Sequence, residues 1–149
     1  MRSIDYMDLA LYQANKAAQL GEVPVGAVLV GADGDVIAHA HNLVELQRDA
    51  TAHAECLVLR EAMKLLNRKF LDGCDLWVTL EPCAMCAGAI SNARIRRLYY
   101  GAEDKKGGAV EHGSHVFSHA SCHHKPDIYG GIKASKASKL LEEFFAERR

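Results

Sequence analysis

The sequence lacks an apolar run long enough to cross a membrane. Its longest nearly apolar stretch, residues 23–32, contains Pro24 and two glycines and has about ten residues, whereas a membrane-spanning helix needs about 20. No positively charged and then apolar segment opens the chain, as it would in a secreted protein. The two absences predict a cytoplasmic protein that makes no membrane contact.

The chain also has no large excess of charge and no disulfide framework. It carries 18 Lys and Arg against 19 Asp and Glu, a formal net charge of −1, so no global basic field indicates a nucleic-acid partner. The cysteines are odd in number and irregularly spaced, which argues against a secreted disulfide-bonded scaffold. They are Cys56, Cys74, Cys83, Cys86 and Cys122.

Internal repeats and low-complexity segments are missing too, and the composition is that of a globular protein. Hydrophobic residues make up 49% of the chain and charged residues 25%, which excludes a disordered class. A length of 149 residues suits one domain with a sizeable core and is short for two. The sequence therefore predicts a single domain over residues 1–149.

Hydrophobic periodicity predicts helices that alternate with strands. Ser3 is the predicted N-cap of a first helix that ends at Gly21. Strands are predicted over residues 23–30, 36–39, 76–80 and 97–101. Further helices are predicted from Ala54, after Pro82, and over residues 133–147, where Phe144 and Phe145 are expected to pack against a sheet. This alternation predicts a three-layer α/β domain.

The most informative motif is His53-Ala54-Glu55 followed by Pro82-Cys83-Ala84-Met85-Cys86. One imidazole and two thiolates, from His53, Cys83 and Cys86, are sufficient to hold a zinc ion that keeps one position open for water. Structural zinc usually has four protein ligands instead. A carboxylate two residues after the histidine can stand beside the water without binding the metal. The pattern is typical of zinc-dependent nucleobase deaminases.

Both ligand sets are predicted at strand-to-helix junctions, where helix N-termini favour thiolate over thiol. Two thiolates cancel the formal charge of zinc, which then acidifies water less strongly than it would among three neutral imidazoles. A nearby base is therefore needed. Glu55 is predicted to take the proton of the water, to pass it to the ring nitrogen beside the attacked carbon, and to protonate the departing ammonia.

Other interpretations remain open for the Cys-x-x-Cys motif, the zinc site and the histidine-rich segment. A Cys-x-x-Cys motif alone is often a redox pair. A structural zinc module in a binding protein would need a fourth ligand from Cys56, Cys74 or a loop histidine. The segment 111–130 holds five of the eight histidines, and it is either a solvated or RNA-facing loop or a second metal site.

The chain resembles the bacterial tRNA-specific adenosine deaminases, which convert the wobble adenosine of an arginine tRNA to inosine. The similarity runs nearly end to end through residues 22–30, 51–55, 78–90, 94–95, 100–109, 144–145 and 148–149. Its most specific part is Leu80-Glu81-Pro82-Cys83-Ala84-Met85-Cys86-Ala87-Gly88-Ala89, followed by Gly101-Ala102-Glu103-Asp104.

The resemblance implies one zinc ion per subunit. Its ligands would be His53, Cys83 and Cys86, and Glu55 would be the proton shuttle. It implies that Asn42, Ala54 and Asp104 bind the substrate, with Asn42 on the base or ribose and Asp104 on the neighbouring nucleotide. It also implies a cytidine deaminase-like α/β/α fold with a five-stranded mixed sheet. A homodimer is implied in which each active site is lined partly by the neighbouring subunit.

A tRNA partner requires local positive charge, because phosphate contacts supply much of the affinity. The basic residues are unevenly distributed, and we expect a local patch to hold the anticodon arm. They are Arg94, Arg96, Arg97, Lys105 and Lys106 near one junction, and Lys125, Lys133, Lys136, Lys139, Arg148 and Arg149 near the end. The alternative substrate is a free nucleobase, guanine or cytosine, whose deaminases share the fold and the zinc motif.

Overall fold

The computed structural model describes residues 5–148 and is built on a five-stranded mixed sheet. The strands are β1 (Gly26–Val30), β2 (Val36–His41), β3 (Asp75–Leu80), β4 (Arg97–Ala102) and β5 (Asp127–Tyr129), in the order β2-β1-β3-β4-β5. β1 pairs antiparallel with β2 and β3, whereas the pairs β3–β4 and β4–β5 are parallel. The predicted mixed sheet of five strands is confirmed.

Helices cover both faces of the sheet. On one face lie α1 (Tyr6–Gln19) and α5 (Ala134–Ala146), and on the other α3 (Ala54–Leu66) and α4 (Ala84–Asn92). A single turn, α2 (Val44–Gln47), follows β2, and a short 3-10 turn (Val116–Ser118) precedes β5. The predicted α/β/α arrangement is confirmed. Across residues 5–148, no helix has both the length and the apolar character that a membrane crossing requires.

The central strand β1 is buried along its whole length because helices pack on both of its faces. Val28 and Val30 pack with Met7 and other residues of α1. Ala27 and Leu29 point to the opposite side, into the main core beneath α3. Burial on both faces explains why the sequence of β1 is continuously apolar and does not alternate between apolar and polar residues.

Three details of the elements differ from the sequence prediction. The strand predicted from residue 23 begins at Gly26. Asp5 caps α1 by accepting the N–H of Asp8 at 3.1 Å, and the predicted cap Ser3 lies outside the described residues. The hydrophobic pattern of the sequence did not predict β5, because this strand has three residues and the first and last of them are exposed.

The last helix buries one of its two phenylalanines. Phe144 is buried, whereas Phe145 is 46% exposed. The expectation that both pack against the sheet is therefore wrong for Phe145. Neighbouring residues on a helix point about 100° apart, so the face that buries Phe144 turns Phe145 outward.

Helix α1 packs directly on the first residue of β1, and we expect Gly26→Ala to be strongly destabilising. An added Cβ would lie 2.0 Å from the carbonyl oxygen of Ala10 and 2.5 Å from the backbone nitrogen of Ala14, which are helix main-chain atoms that cannot rotate away. The expected loss in the free energy of unfolding, measured by urea denaturation, is about 2–4 kcal/mol.

Gly88→Ala is the matched control, because a Cβ at this position of α4 meets no atom within 4 Å. A helical Gly→Ala change of this kind should leave stability unchanged or raise it by up to about 1 kcal/mol. Equal unfolding free energies for the two variants would contradict the close packing of α1 on β1.

Candidate metal centre and substrate cavity

The predicted site residues gather at one edge of the sheet. At this edge β3 and β4 end, β1 begins and β2 ends, as the pairing of Gly26 with His41 and of Ala27 with Val78 requires. Helices α3 and α4 begin at the same edge, at Ala54 and Ala84. Ligands commonly bind at the carboxyl ends of parallel strands, where helix N-termini also converge.

Three metal donors meet between the two helix N-termini. His53 and Cys83 are the N-cap residues of α3 and α4, and Cys86 lies in the first turn of α4. His53 Nδ1 is 3.6 Å from Cys83 Sγ and 3.5 Å from Cys86 Sγ, and all three donor atoms lie within 4.8 Å of one another. A tetrahedral zinc ion separates nitrogen and sulfur ligands by about 3.6 Å, so both the spacing and the donor types fit zinc.

The other cysteines do not join this group. Cys56 Sγ is 3.7 Å from Cys86 Sγ, but within residues 5–148 the donors that lie mutually close enough to share an ion are those of His53, Cys83 and Cys86. Cys74 and Cys122 contact other groups, and all five cysteines are free thiols. Three protein donors are the number found in catalytic zinc sites, which leave one position to water.

Glu55 is a buried carboxyl group in the first turn of α3, with 4% of its surface exposed. Burial raises the pKa of Glu55 to about 7, and the nearby Cys83 sulfur adds to this rise, while hydrogen bonds from its own backbone N–H and from Cys86 oppose it. A pKa close to neutrality suits a group that takes and returns a proton within one reaction cycle.

Cys83 has the environment of a metal-binding thiolate. A hydrogen bond from the Cys86 thiol, the backbone N–H of Cys86 and the neighbouring His53 lower the pKa of Cys83 to about 5 in spite of its partial burial. The N-terminus of α4 acts in the same direction, because its unpaired N–H groups favour negative charge. The thiolate is the form that binds a metal.

A cavity of about 710 Å³ opens beside the metal donors. Segments 21–25, 42–45, 80–83 and 104–107 contribute its lining, together with His53, Glu55, Phe144 and Arg148. The volume falls within the usual range for small-molecule sites, which is about 300–1,000 Å³. The cavity therefore has room for a nucleoside-sized group beside Glu55.

Asn42 and Ala54, both predicted to bind substrate, contact each other. Asn42 Oδ1 accepts the backbone N–H of Ala54 at 2.8 Å, in a buried position. His53 makes no side-chain cap, so Asn42 supplies from the end of β2 the acceptor that the first turn of α3 needs. Asn42 also lines the cavity. This bond joins two elements and could not be inferred from the sequence around either residue.

Asp104, the third predicted substrate residue, lines the cavity from a turn that follows β4. Its Oδ1 atom accepts the backbone N–H groups of Lys106 at 3.2 Å and Gly107 at 2.9 Å. One carboxylate oxygen thus shapes the turn, as Asp often does in loops.

Sequence reasoning assigned no role to two buried glutamates that also line the cavity, Glu22 and Glu81. Glu22 accepts the N–H groups of Glu45 at 3.0 Å and Leu46 at 2.7 Å, and so fixes α2 beside the cavity. Glu81 accepts several N–H groups from the loop after β4. The sequence did contain a signal for both residues. Each glutamate stands at the end of a predicted apolar strand, where burying an unpaired charge would cost free energy.

Several histidines of segment 111–130 bind protein acceptors. His119 Nε2 lies 2.6 Å from the carbonyl oxygen of Ser114, and His124 Nε2 lies 2.8 Å from that of Ile95. His112 Nδ1 lies 2.7 Å from Glu81 Oε1. These contacts hold the long connection between β4 and β5 in place.

The basic residues near β4 do not form one patch, because the strand separates them. Arg96 lies just before β4, where it binds Asp75 through two contacts of 3.0 and 2.8 Å. Lys105 and Lys106 are exposed and lie beyond the other end of β4, next to the cavity. Near the chain end, Arg148 lines the cavity, and Arg149 lies outside the described residues.

Comparisons with known proteins agree on a deaminase. The family model of the MafB19-like deaminases matches residues 1–149. A tRNA-specific adenosine deaminase of Agrobacterium fabrum is 55% identical over 144 residues, which cover 97% of this chain and 94% of that protein. A solved structure from a study of A-to-I editing by tRNA:A34 deaminases at the wobble position of transfer RNA has a TM-score of 0.89 at 55% identity, with 91% of this chain and 98% of that chain covered.

A more distant structural neighbour is a guanine deaminase from Nitrosomonas europaea. Its TM-score is 0.77 at 25% identity, with 95% of this chain and 83% of that chain covered. The same fold therefore occurs in enzymes with different substrates, and the fold by itself does not select between them.

We expect Asn42→Ala to lower the free energy of unfolding by about 1–2 kcal/mol, because the buried N–H of Ala54 loses its acceptor. Asn42→Asp keeps an acceptor at the helix N-terminus and should retain most of that stability. Thermal and urea unfolding measure both changes. Asn15→Ala, at an exposed position of α1, is the control and should have little effect. A stability of Asn42→Ala equal to that of wild type would rule out the capping role.

Proposed function

The chain belongs to the tRNA-specific adenosine deaminases, and on this premise we propose that it hydrolyses adenosine to inosine at the wobble position of tRNA. The observation that carries the proposal is buried Glu55, which lines a nucleoside-sized cavity together with two of the three metal donors. We propose that residues 1–149 form one zinc-dependent deaminase domain. A tRNA substrate also favours the cytoplasmic location that the sequence predicts.

His53, Cys83 and Cys86 are the proposed ligands of one zinc ion. When bound there, zinc would supply a Lewis acid that increases the acidity of the attacking water. The protein contributes two thiolates from the start of α4 and one imidazole from the start of α3. The distances of 3.6 and 3.5 Å between the His53 nitrogen and the two sulfurs support these residues as ligands of one zinc ion.

Glu55 is the proposed proton shuttle. Its carboxylate takes a proton from the water as the oxygen attacks C6 of adenine, and delivers it to N1 of the ring. It then takes the second proton of the water and gives it to the C6 amino group, so that the C–N bond breaks and ammonia leaves. Adenosine and water are thereby converted to inosine and ammonia, and the Glu55 carboxylate is restored.

The substrate contacts are proposed from the cavity lining. We propose that Asn42, which lines the cavity, binds the base or ribose through its amide group, and that Ala54 contributes by donating its backbone N–H to Asn42 Oδ1 and so orienting that amide. Asp104, which also lines the cavity, is the proposed contact of the neighbouring nucleotide. Lys105 and Lys106 are exposed beside this loop and can contact phosphates of the anticodon arm, which would reconcile RNA binding with the slightly acidic total charge.

We also propose a homodimer, supported by an exposed face of α4. Met85, in the first turn of α4, is a large apolar residue that is 38% exposed. This surface is continuous with the metal ligands of the same helix, so a second copy seated there would lie close to the cavity.

We expect Glu55→Gln to lower the deamination rate by roughly 3 to 5 orders of magnitude, because the amide cannot carry the proton. Zinc content should stay at one ion per chain, because Glu55 is not among the proposed ligands. Inosine formation on an anticodon stem-loop and metal analysis of the same sample provide the two readouts. Substantial turnover by this variant would remove Glu55 from the mechanism.

Substrate choice is tested by offering the enzyme an arginine tRNA, its anticodon stem-loop, guanine and cytosine under the same conditions. We expect inosine from the two RNAs and no detectable deamination of the free bases. The alternative, a free-base deaminase, draws support from the guanine deaminase fold, but sequence identity to the tRNA enzymes is far higher. Faster release of ammonia from guanine or cytosine than from the RNAs would establish that alternative.

The assembly is tested by light scattering on the purified protein. We expect a mass of two chains for wild type and of one chain for Met85→Lys, because a charge would be buried in the α4 contact. Leu20→Lys replaces another exposed apolar residue, 60% exposed at the end of α1, and should leave the dimer intact. A monomeric wild type, or a dimeric Met85→Lys protein, would exclude this interface.

A further inference from the structure

We propose that Glu81 is a positioning residue that holds the Asp104 loop, defined as residues 103–112, against the substrate cavity. Glu81 is buried, with 2% of its surface exposed, and follows the last residue of β3. Its effect on catalysis rests on the function proposed above, whereas its effect on the loop does not.

The Glu81 carboxylate collects N–H groups from both ends of the Asp104 loop. Oε1 accepts the backbone N–H of Asp104 at 3.1 Å. Oε2 accepts three consecutive backbone N–H groups at 3.1, 2.9 and 3.2 Å, those of Val110, Glu111 and His112. Four backbone donors thus converge on a single side chain, and the loop is closed around it.

Side chains of the loop and its neighbours reinforce this arrangement. His112 Nδ1 lies 2.7 Å from Glu81 Oε1, which adds a fifth contact. The hydroxyl of Tyr100, on β4, donates to the carboxylate of Glu111. Burial would raise the pKa of Glu81, but the hydrogen bonds from the loop outweigh it and hold the pKa below its usual value.

The loop packs on the carboxyl group without space for a side chain. A Cβ added to Gly108 would lie 2.6 Å from Glu81 Cδ and 2.4 Å from the carbonyl oxygen of Asp104. Glycine is therefore required at this position for steric reasons. The close approach indicates a loop built around the glutamate, rather than a glutamate placed beside a loop that forms independently.

Glu81 also connects the loop to the metal centre. It is separated from Cys83 only by Pro82, whose carbonyl oxygen accepts the N–H of Ala109 at 2.9 Å. Residues 81–83 therefore fix a metal ligand and both ends of the Asp104 loop. Because Asp104 and Gly107 line the cavity, this segment sets the distance between the metal centre and the part of the cavity that they form.

This geometry predicts which kinetic parameter depends on Glu81. The hydrogen bonds of the Glu81 side chain all go to the loop, so we expect its loss to loosen substrate binding equally in the ground state and the transition state. Such a change raises KM and leaves kcat nearly constant. A residue needed only for metal retention would instead lower kcat in proportion to the lost zinc.

The test is Glu81→Gln, which keeps the size of the side chain but replaces one acceptor oxygen with an NH2 group that cannot accept the loop N–H groups. We expect KM for the anticodon stem-loop to rise about 10-fold or more with kcat within about threefold. Zinc content should be unchanged, and hydrogen exchange should become at least about 10-fold faster in residues 103–112. Glu61→Gln, an exposed charge change on α3, is the control and should alter none of these readouts.

His112→Asn provides a second variant that keeps the backbone donors and removes the fifth contact. It should show the same pattern with a smaller rise in KM, about two- to fivefold, and it decides the proposal if Glu81→Gln does not fold. Wild-type KM and wild-type exchange in the variant that folds would overturn the proposal, as would a kcat loss that matches zinc loss. If wild type forms no inosine, the proposed function fails, and the exchange measurement still reports on Glu81 and the loop.

Discussion

The structure depends on bringing three donor atoms from two distant parts of the chain to within 4.8 Å of one another. Two of these donors are the N-cap residues of α3 and α4, so the N-termini of these two helices must lie close together. The order of β1, β3 and β4 in the sheet achieves this, because it places the start of both helices at one edge. The cavity, the buried glutamates and the loops that close around them all lie at this edge.

Glu55 and Glu81 show how one residue type takes two roles in neighbouring environments. Glu55 is buried and accepts few hydrogen bonds that would stabilise its charged form. Its pKa therefore rises to about 7, which suits proton transfer. Glu81 is also buried, but backbone N–H groups surround it and lower its pKa, so it remains an anion that organises a loop. Burial raises the pKa of both groups, and the many hydrogen bonds that Glu81 accepts from the loop reverse this effect for Glu81 alone.

The balance of charge explains how an acidic chain can bind RNA. Several basic side chains are occupied elsewhere: Arg96 binds Asp75, and Lys133 binds Asp5 and Asp8. Arg148 lines the cavity, and Lys105 and Lys106 lie between two residues that line it, Asp104 and Gly107, so positive charge is found beside the cavity. A few cations beside the cavity can bind phosphates of the proposed tRNA substrate without a basic charge over the whole chain.

The sequence by itself determined the chemistry and the class of fold. The spacing of His53, Glu55, Cys83 and Cys86 predicted a metal centre with a carboxylate beside it, because donor chemistry limits which residues can act together. Hydrophobic periodicity predicted four of the five strands and all the long helices. Periodicity depends on residue types within one short stretch, and the metal motif depends on residue types in two short stretches, 53–55 and 82–86.

Only the tertiary structure decided which residues meet across elements. The cap that Asn42 gives to Ala54 and the five contacts of Glu81 join residues 12 to 31 positions apart. The strand β5 forms because β4 offers it an open edge, and its own three residues carry no pattern. Basic residues that are neighbours in sequence are separated by the length of β4. These features depend on how strands pair and loops close in space, which the order of residue types does not encode locally.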